Sequence, residues 1–244
     1  MRGGNDGSDN MPMSNDKGFT LIELMIAIGV TGMLMAAVYM AVNSAQRHSS
    51  GIERKVTAQQ DVKPALNLMA MEIGMVSYNP TATAGIWVTP TGNCMAASPN
   101  QSYRGIQVAT ANSLVVEMDI GPNGNGDGML GDPNEVIRYN FDTTSQYITR
   151  ATDCGGAQPF LGDVPTKTRA VRVINNTLNI PVFRYFDGTG AEINVAGLPG
   201  AIPTIRRISI TLAVETENVD PNTKQRRRLI YSTSVIPRNH AISQ

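Results

Sequence analysis

The sequence predicts an α+β chain in which a long N-terminal helix packs on an antiparallel β-sheet domain. Three observations lead there. From Leu24 to Gln46 there are 23 consecutive positions without a charge, most of them apolar. Further on, Val62, Leu66, Met69, Ile73 and Val76 recur at steps of four and three, the stripe of one helix face. From Ile86 the pattern changes to short β-rich runs divided by Gly, Pro, Asn and Asp. A helix stripe followed by strands in series is the layered α+β arrangement.

Residues 1–18 read as a polar leader. Asp6, Asp9 and Asp16 stand against Arg2 and Lys17, so the positive-inside signal is weak. Met11 and Met13 are alternative starts. A secretory signal peptide would place its apolar run before a small-residue cleavage site, and here the polar leader comes first with no Ala-x-Ala site after the run.

Residues 19–46 form the membrane and assembly helix. Its 23 uncharged positions cover roughly 35 Å as a helix, against a bilayer core of about 30 Å. Glu23 is the one charge in this segment. An isolated carboxylate in hydrocarbon costs at least a few kcal/mol, so it needs a partner or marks a function. Gly29, Thr31 and Gly32 are small residues that either permit close helix approach or face lipid.

Residues 47–78 continue the helix as an amphipathic segment. Pro64 removes a backbone donor there, so the helix either kinks near it or breaks between Ser49 and Asp61 and restarts. Met69, Met71 and Met75 read as helix-to-sheet packing. Tyr78-Asn79-Pro80 ends the segment, since the residue before proline disfavours helix.

Residues 79–244 form a β-rich globular domain. Gly105 to Val108, Ser113 to Met118, Glu135 to Asn140 and Tyr147 to Arg150 predict a meander, and Asn179 to Phe186 follows, closed by Asp187-Gly188. Last comes a hairpin of Arg207 to Glu215 and Arg227 to Val235, turning through Asp220-Pro221-Asn222. In its first arm Ile208, Ile210, Leu212 and Val214 alternate with Ser209, Thr211 and Ala213, as in a half-buried strand.

The run Lys17-Gly18-Phe19-Thr20-Leu21-Ile22-Glu23 resembles the processing signature of type IV pilins and type II secretion pseudopilins. The resemblance implies that a membrane prepilin peptidase cuts after Gly18 and that Phe19 is then N-methylated. It also implies that Glu23 of one subunit neutralises the Phe19 amine of a neighbour as helices stack into a filament. The helix end and the C-terminal hairpin are similar to PilW-type minor pilins and to J-type pseudopilins. Implied partners are other major and minor pilins, the prepilin peptidase and an inner-membrane assembly platform. The implied location is the bacterial inner membrane, with the C-terminal domain in the periplasm, and then a surface pilus. The long leader and Pro64 depart from the family pattern.

Cys94 and Cys154 have no Cys-x-x-Cys neighbour, and His48 and His240 are far off in sequence, which argues against zinc. In an oxidising compartment a disulfide is the expectation, contributing on the order of 4 kcal/mol in the chain-entropy model. The stretch from Asp119 to Glu135 places Asn123, Asn125 and Asp127 at alternate positions before Gly128, like the first half of a calcium loop. Asp119, Asp132 and Glu135 could add oxygens, so calcium is a candidate ligand. A Gly-rich turn between strands is the competing reading.

Arg206-Arg207 and Arg226-Arg227-Arg228 would form a basic patch if the hairpin pairs them. The zero net charge and the absence of interleaved aromatics favour a charged strand edge over nucleic-acid binding. No nucleophile, base and orienting group stand out together, which points to a protein that is not an enzyme.

Overall fold

A computed structural model of the chain describes residues 18–87, 100–121, 124–153, 155–220 and 223–241. The chain divides into two compact units, Met1–His48 and Ser49–Gln244. Helix α1 runs from Leu21 to Gly74. It is the one helix among the described residues long and apolar enough to cross a membrane. In the first unit its apolar side chains from Leu21 to Val42 are all exposed.

In the second unit α1 supplies one side of the core. Ala58, Val62, Ala65, Leu66, Met69 and Ile73 are buried, the predicted stripe with alanines filling its close contacts. Pro64 sits inside α1, and the helix continues through it to Gly74, so the predicted break between Ser49 and Asp61 does not occur. Proline leaves the Gln60 carbonyl without its intrahelical donor, and Gln60, Asp61 and Pro64 line a surface cavity of about 510 Å³.

Two antiparallel sheets face this helix, where one sheet was expected. The first is a meander of five strands in chain order: β1 (Ile106–Ala109), β2 (Ser113–Glu117), β3 (Val136–Asp142), β4 (Tyr147–Thr152) and β5 (Gln158–Leu161). The second is built around the ten-residue β8 (Arg207–Thr216). On one side β8 pairs with β6 (Val171–Val173) and β7 (Phe183–Phe186), on the other with β9 (Arg228–Val235). β9 has no second neighbour among the described residues and forms the border of this sheet.

The two-residue period of each strand decides what enters the core. Leu114, Val116, Ile137, Tyr139, Phe141 and Ile148 from the meander meet Ile208, Ile210, Leu212 and Val214 from β8 against the α1 stripe. β5 and β6 were not anticipated from the sequence, for physical reasons. β5 is an edge strand carrying Pro159, and β6 has only three residues.

One buried clasp fixes the helix on the meander. Arg150 lies opposite Tyr139 on the core face of β4 and β3, and both reach Glu72 of α1, which is 5% exposed. Arg150 donates from Nη2 to Glu72 Oε1 at 2.6 Å and from Nε to Oε2 at 3.2 Å. The Tyr139 hydroxyl donates to the same carboxylate. Burial first, and then the Glu72 charge, pushes the Tyr139 hydroxyl up from its ordinary value.

Candidate functional site

The site assembles at the start of α1, in the first unit. Gly18, Phe19 and Thr20 precede the helix, and Phe19 is 91% exposed. Thr20 occupies the position just before Leu21, and three residues later comes Glu23. That spacing, Thr-x-x-Glu, is a capping box, in which each side chain satisfies the other residue's free backbone donor. The geometry is reciprocal. The Glu23 amide donates to Thr20 Oγ1 at 3.3 Å, and the Thr20 amide donates to Glu23 Oε2 at 2.9 Å. The Thr20 hydroxyl also donates to Glu23 Oε2 at 2.9 Å. Glu23 therefore has a partner within its own chain, and the carboxylate stands at the helix N-terminus, where the macrodipole favours it. Sequence reasoning passed over Thr20, although the Thr-x-x-Glu spacing ahead of an apolar run signals it.

The loop between β2 and β3, a calcium-loop candidate by sequence, is organised differently. Asp119 and Glu135 are both fully buried, and backbone amides fill their carboxylates. Asp119 Oδ1 and Oδ2 accept the amides of Asp127 and Gly128, each at 2.9 Å. Glu135 Oε1 accepts Ile120 and Gly121, and Oε2 accepts Gly131 and Asp132, at 2.7 to 3.1 Å. Gly126 has a positive φ of 62°, and a Cβ there would lie 2.8 Å from Asp119 Oδ1 and 2.5 Å from Pro80 Cγ. The glycine lets the loop close over the carboxylate.

Asn125 and Asp127 are exposed. Partial desolvation, followed by the charges of Glu135, Asp127, Asp119 and Asp153, raises the Asp132 carboxyl. Among the described residues no group of three or more His, Cys, Asp or Glu is arranged to hold a metal ion. Asn123 lies outside the described residues, as do Cys94 and Cys154.

The two arginine groups do not meet. The hairpin pairs Ile208 with Val235 and Glu215 with Arg228, which puts Arg206-Arg207 and Arg226-Arg227-Arg228 at opposite ends of β8. Each group is also occupied locally. Arg207 stacks over the Phe186 ring at 3.6 Å, and Arg206 donates to the carbonyls of Pro203 and Ile205. Arg226 and Arg169 pair with Glu217, Arg228 and Arg172 with Glu215, and Arg227 with Asp220. The pairing on which a joint basic patch depended does not occur, and Arg226, Arg227 and Arg228 are held instead in ion pairs at one end of the β8–β9 hairpin.

The family comparison bears on the helix start. The Prokaryotic N-terminal methylation motif matches residues 13–39, a span that contains Gly18, Phe19, Thr20 and Glu23. No curated protein and no solved structure matches the chain.

Proposed function

A chain with this N-terminal methylation motif is pilin-like at its N-terminus, and from that premise we propose a non-catalytic minor pilin that helps initiate or cap a type IV pilus. The observation that carries the reading is the motif's position on a capped helix start whose only charge is Glu23, followed by an uncharged run through Gln46. The span holds the subunit in the inner membrane with the β-rich domain in the periplasm. Prepilin peptidase cuts after Gly18, and the new Phe19 amine is methylated. In the filament that amine takes the Glu23 carboxylate of a neighbour in place of the Thr20 donors. A buried pair of this kind fixes register more than it adds stability. Major and minor pilins, the peptidase and an inner-membrane platform are the partners. In the periplasm Cys94 and Cys154 form a disulfide, and two reactive thiols in denatured, unreduced protein would rule it out.

Intact mass and N-terminal sequencing of protein from native membranes test the pathway. A terminus at Phe19 carrying one extra methyl is expected, whereas an intact leader would overturn the reading. Glu23→Ala should leave cleavage intact and deplete the subunit from sheared filaments; normal incorporation would contradict the pairing. A type II secretion minor pseudopilin at the pseudopilus tip is the second reading, because the same residues serve both filaments. Co-purification with one filament or the other separates them. A membrane-anchored receptor, adhesin or DNA-binding tip subunit has less support, since the two arginine groups lie at opposite ends of β8 and Arg226, Arg227 and Arg228 are each paired with a carboxylate.

A further inference from the structure

Sheet edges are usually blunted by shortness, a bulge, a proline or charge. Among the described residues the edges of both sheets follow this rule, with one exception. β1 has four residues and a register shift between Ile106 and Val108. β5 carries Pro159 and meets a shift in its pairing with β4. β6 and β7 have three and four residues. β9, by contrast, has eight residues, no proline and an unbroken register with β8 from Arg228 to Val235. Because Thr216 donates to the Arg227 carbonyl, the amides of Ile230, Ser232 and Ser234 turn away from β8. An evenly spaced row of outward backbone groups is matched by another extended backbone.

The rows that run across the sheet say which side chains that backbone carries, since matched neighbours on one face stabilise strand pairing. On the face away from α1, Arg172 of β6, Glu215 of β8 and Arg228 of β9 stand in one row. The order is cation, anion, cation: Arg172 Nη2 lies 3.3 Å and Arg228 Nε 3.5 Å from the Glu215 carboxylate. The Arg228 side chain is 59% exposed, so the next place in the row calls for a carboxylate. The next row pairs Ala213 with Ile230, an apolar residue that is 56% exposed. Thr211 and Ser232 follow, their hydroxyls 3.0 Å apart, and then Ser209 and Ser234. On the opposite face Leu229 and Tyr231 reach the core and are only partly buried.

We propose that β9 is the docking edge for an extended segment of another protein, which joins the sheet as an antiparallel strand and sets a carboxylate against Arg228. Every pairing in this sheet is antiparallel, so the acid falls at the C-terminal end of the segment. Before it comes an apolar residue beside Ile230 and then hydroxyl residues beside Ser232 and Ser234. Apolar residues alternate with these to cover Leu229 and Tyr231. A second copy of β9 does not supply this segment, because Arg228 to Val235 contains no acid. The edge is separate from the helix start and serves whichever filament holds the chain.

The test uses the full chain in detergent micelles, with empty micelles as the blank. The probe is the synthetic peptide Thr-Val-Thr-Val-Ile-Val-Glu, amidated at its C-terminus and labelled at its N-terminus for fluorescence anisotropy. Saturable binding is expected, and replacing the peptide's glutamate by lysine should weaken it about fivefold or more. Ser232→Pro removes an outward amide and leaves the β8 ladder intact, a placement that proline tolerates on an edge strand. It should keep the fold and weaken the peptide about tenfold or more. If Ser232→Pro does not fold, Arg228→Glu replaces it and should reverse the preference, favouring the lysine peptide. No saturable binding, equal binding of the two peptides, or unchanged binding by the folded proline variant would overturn the proposal, as would an unreversed preference in Arg228→Glu.

Discussion

Glu117 is a carboxylic acid with nothing but a glutamine to hold it. Its side chain is fully buried. Oε2 accepts Gln107 Nε2 at 2.9 Å, while Oε1 has no hydrogen-bond partner. Burial pushes its carboxyl up to about 8, and the Gln107 contact offsets this only in part. The folded chain thus retains a proton that the unfolded chain releases near the ordinary carboxylate value of 4.5. Stability from this group is present at low pH and is lost as pH rises from there through about 8. Glu117→Gln should raise the Tm by several degrees at about pH 9 and leave it unchanged at about pH 4; equal effects at both values would contradict the account. His240 has the opposite sign. Burial, reinforced by Arg206 and Arg104, outweighs its carbonyl contacts and holds the imidazole below its usual value, so its contribution is lost as pH falls below about 6.5. Neither residue could be singled out in the sequence, where a lone Glu in a strand and a lone His near the end carry no pattern. Gly18, Phe19 and Glu23 were legible because seven adjacent residues form one signature.

At the level of elements, alternation and helical stripe made most segments readable. β1 to β4, β8 and β9 fall within a residue or two of their predicted bounds, because each has one face in the core. The buried polar clasp was hidden by its chemistry. Glu72 sits between Met69 and Val76, on the stripe, and looks in sequence like a solvated helix residue. Arg150 follows Ile148 by two, which places it on the core face. Breaking the clasp from one side strands a buried charge, which costs about 3–5 kcal/mol. Glu72→Ala should lose that much in urea denaturation, and Glu72→Leu combined with Arg150→Met should recover most of it. A single-variant loss below about 1 kcal/mol would show that water reaches the pair. The β2–β3 loop has its own test. Because backbone amides fill Asp119 and Glu135, millimolar calcium should leave the Tm unchanged; a rise of several degrees would mean that the loop re-forms around the cation.

For the molecule as a whole, the α+β class was legible, and the division into two sheets was not. Local alternation fixes which face a strand buries and says nothing about its distant partner, so β6 and β7 could not be assigned to β8 in advance. The second unit has its own core, and α1 residues from Ala58 to Ile73 are part of it. A fragment of residues 49–244 should therefore stay soluble and melt cooperatively, whereas residues 79–244 should not; comparable melting of the two would deny the helix its place in that core. The border strand has a further consequence. Thr216 donates to the Arg227 carbonyl, and the β8–β9 register then turns the amides of Leu229, Tyr231, Thr233 and Val235 toward β8. Those of Ile230, Ser232 and Ser234 point outward. In heavy water this margin should exchange as a picket fence, every second amide vanishing early, and a neighbour that extended the sheet would be visible as the gaps closing.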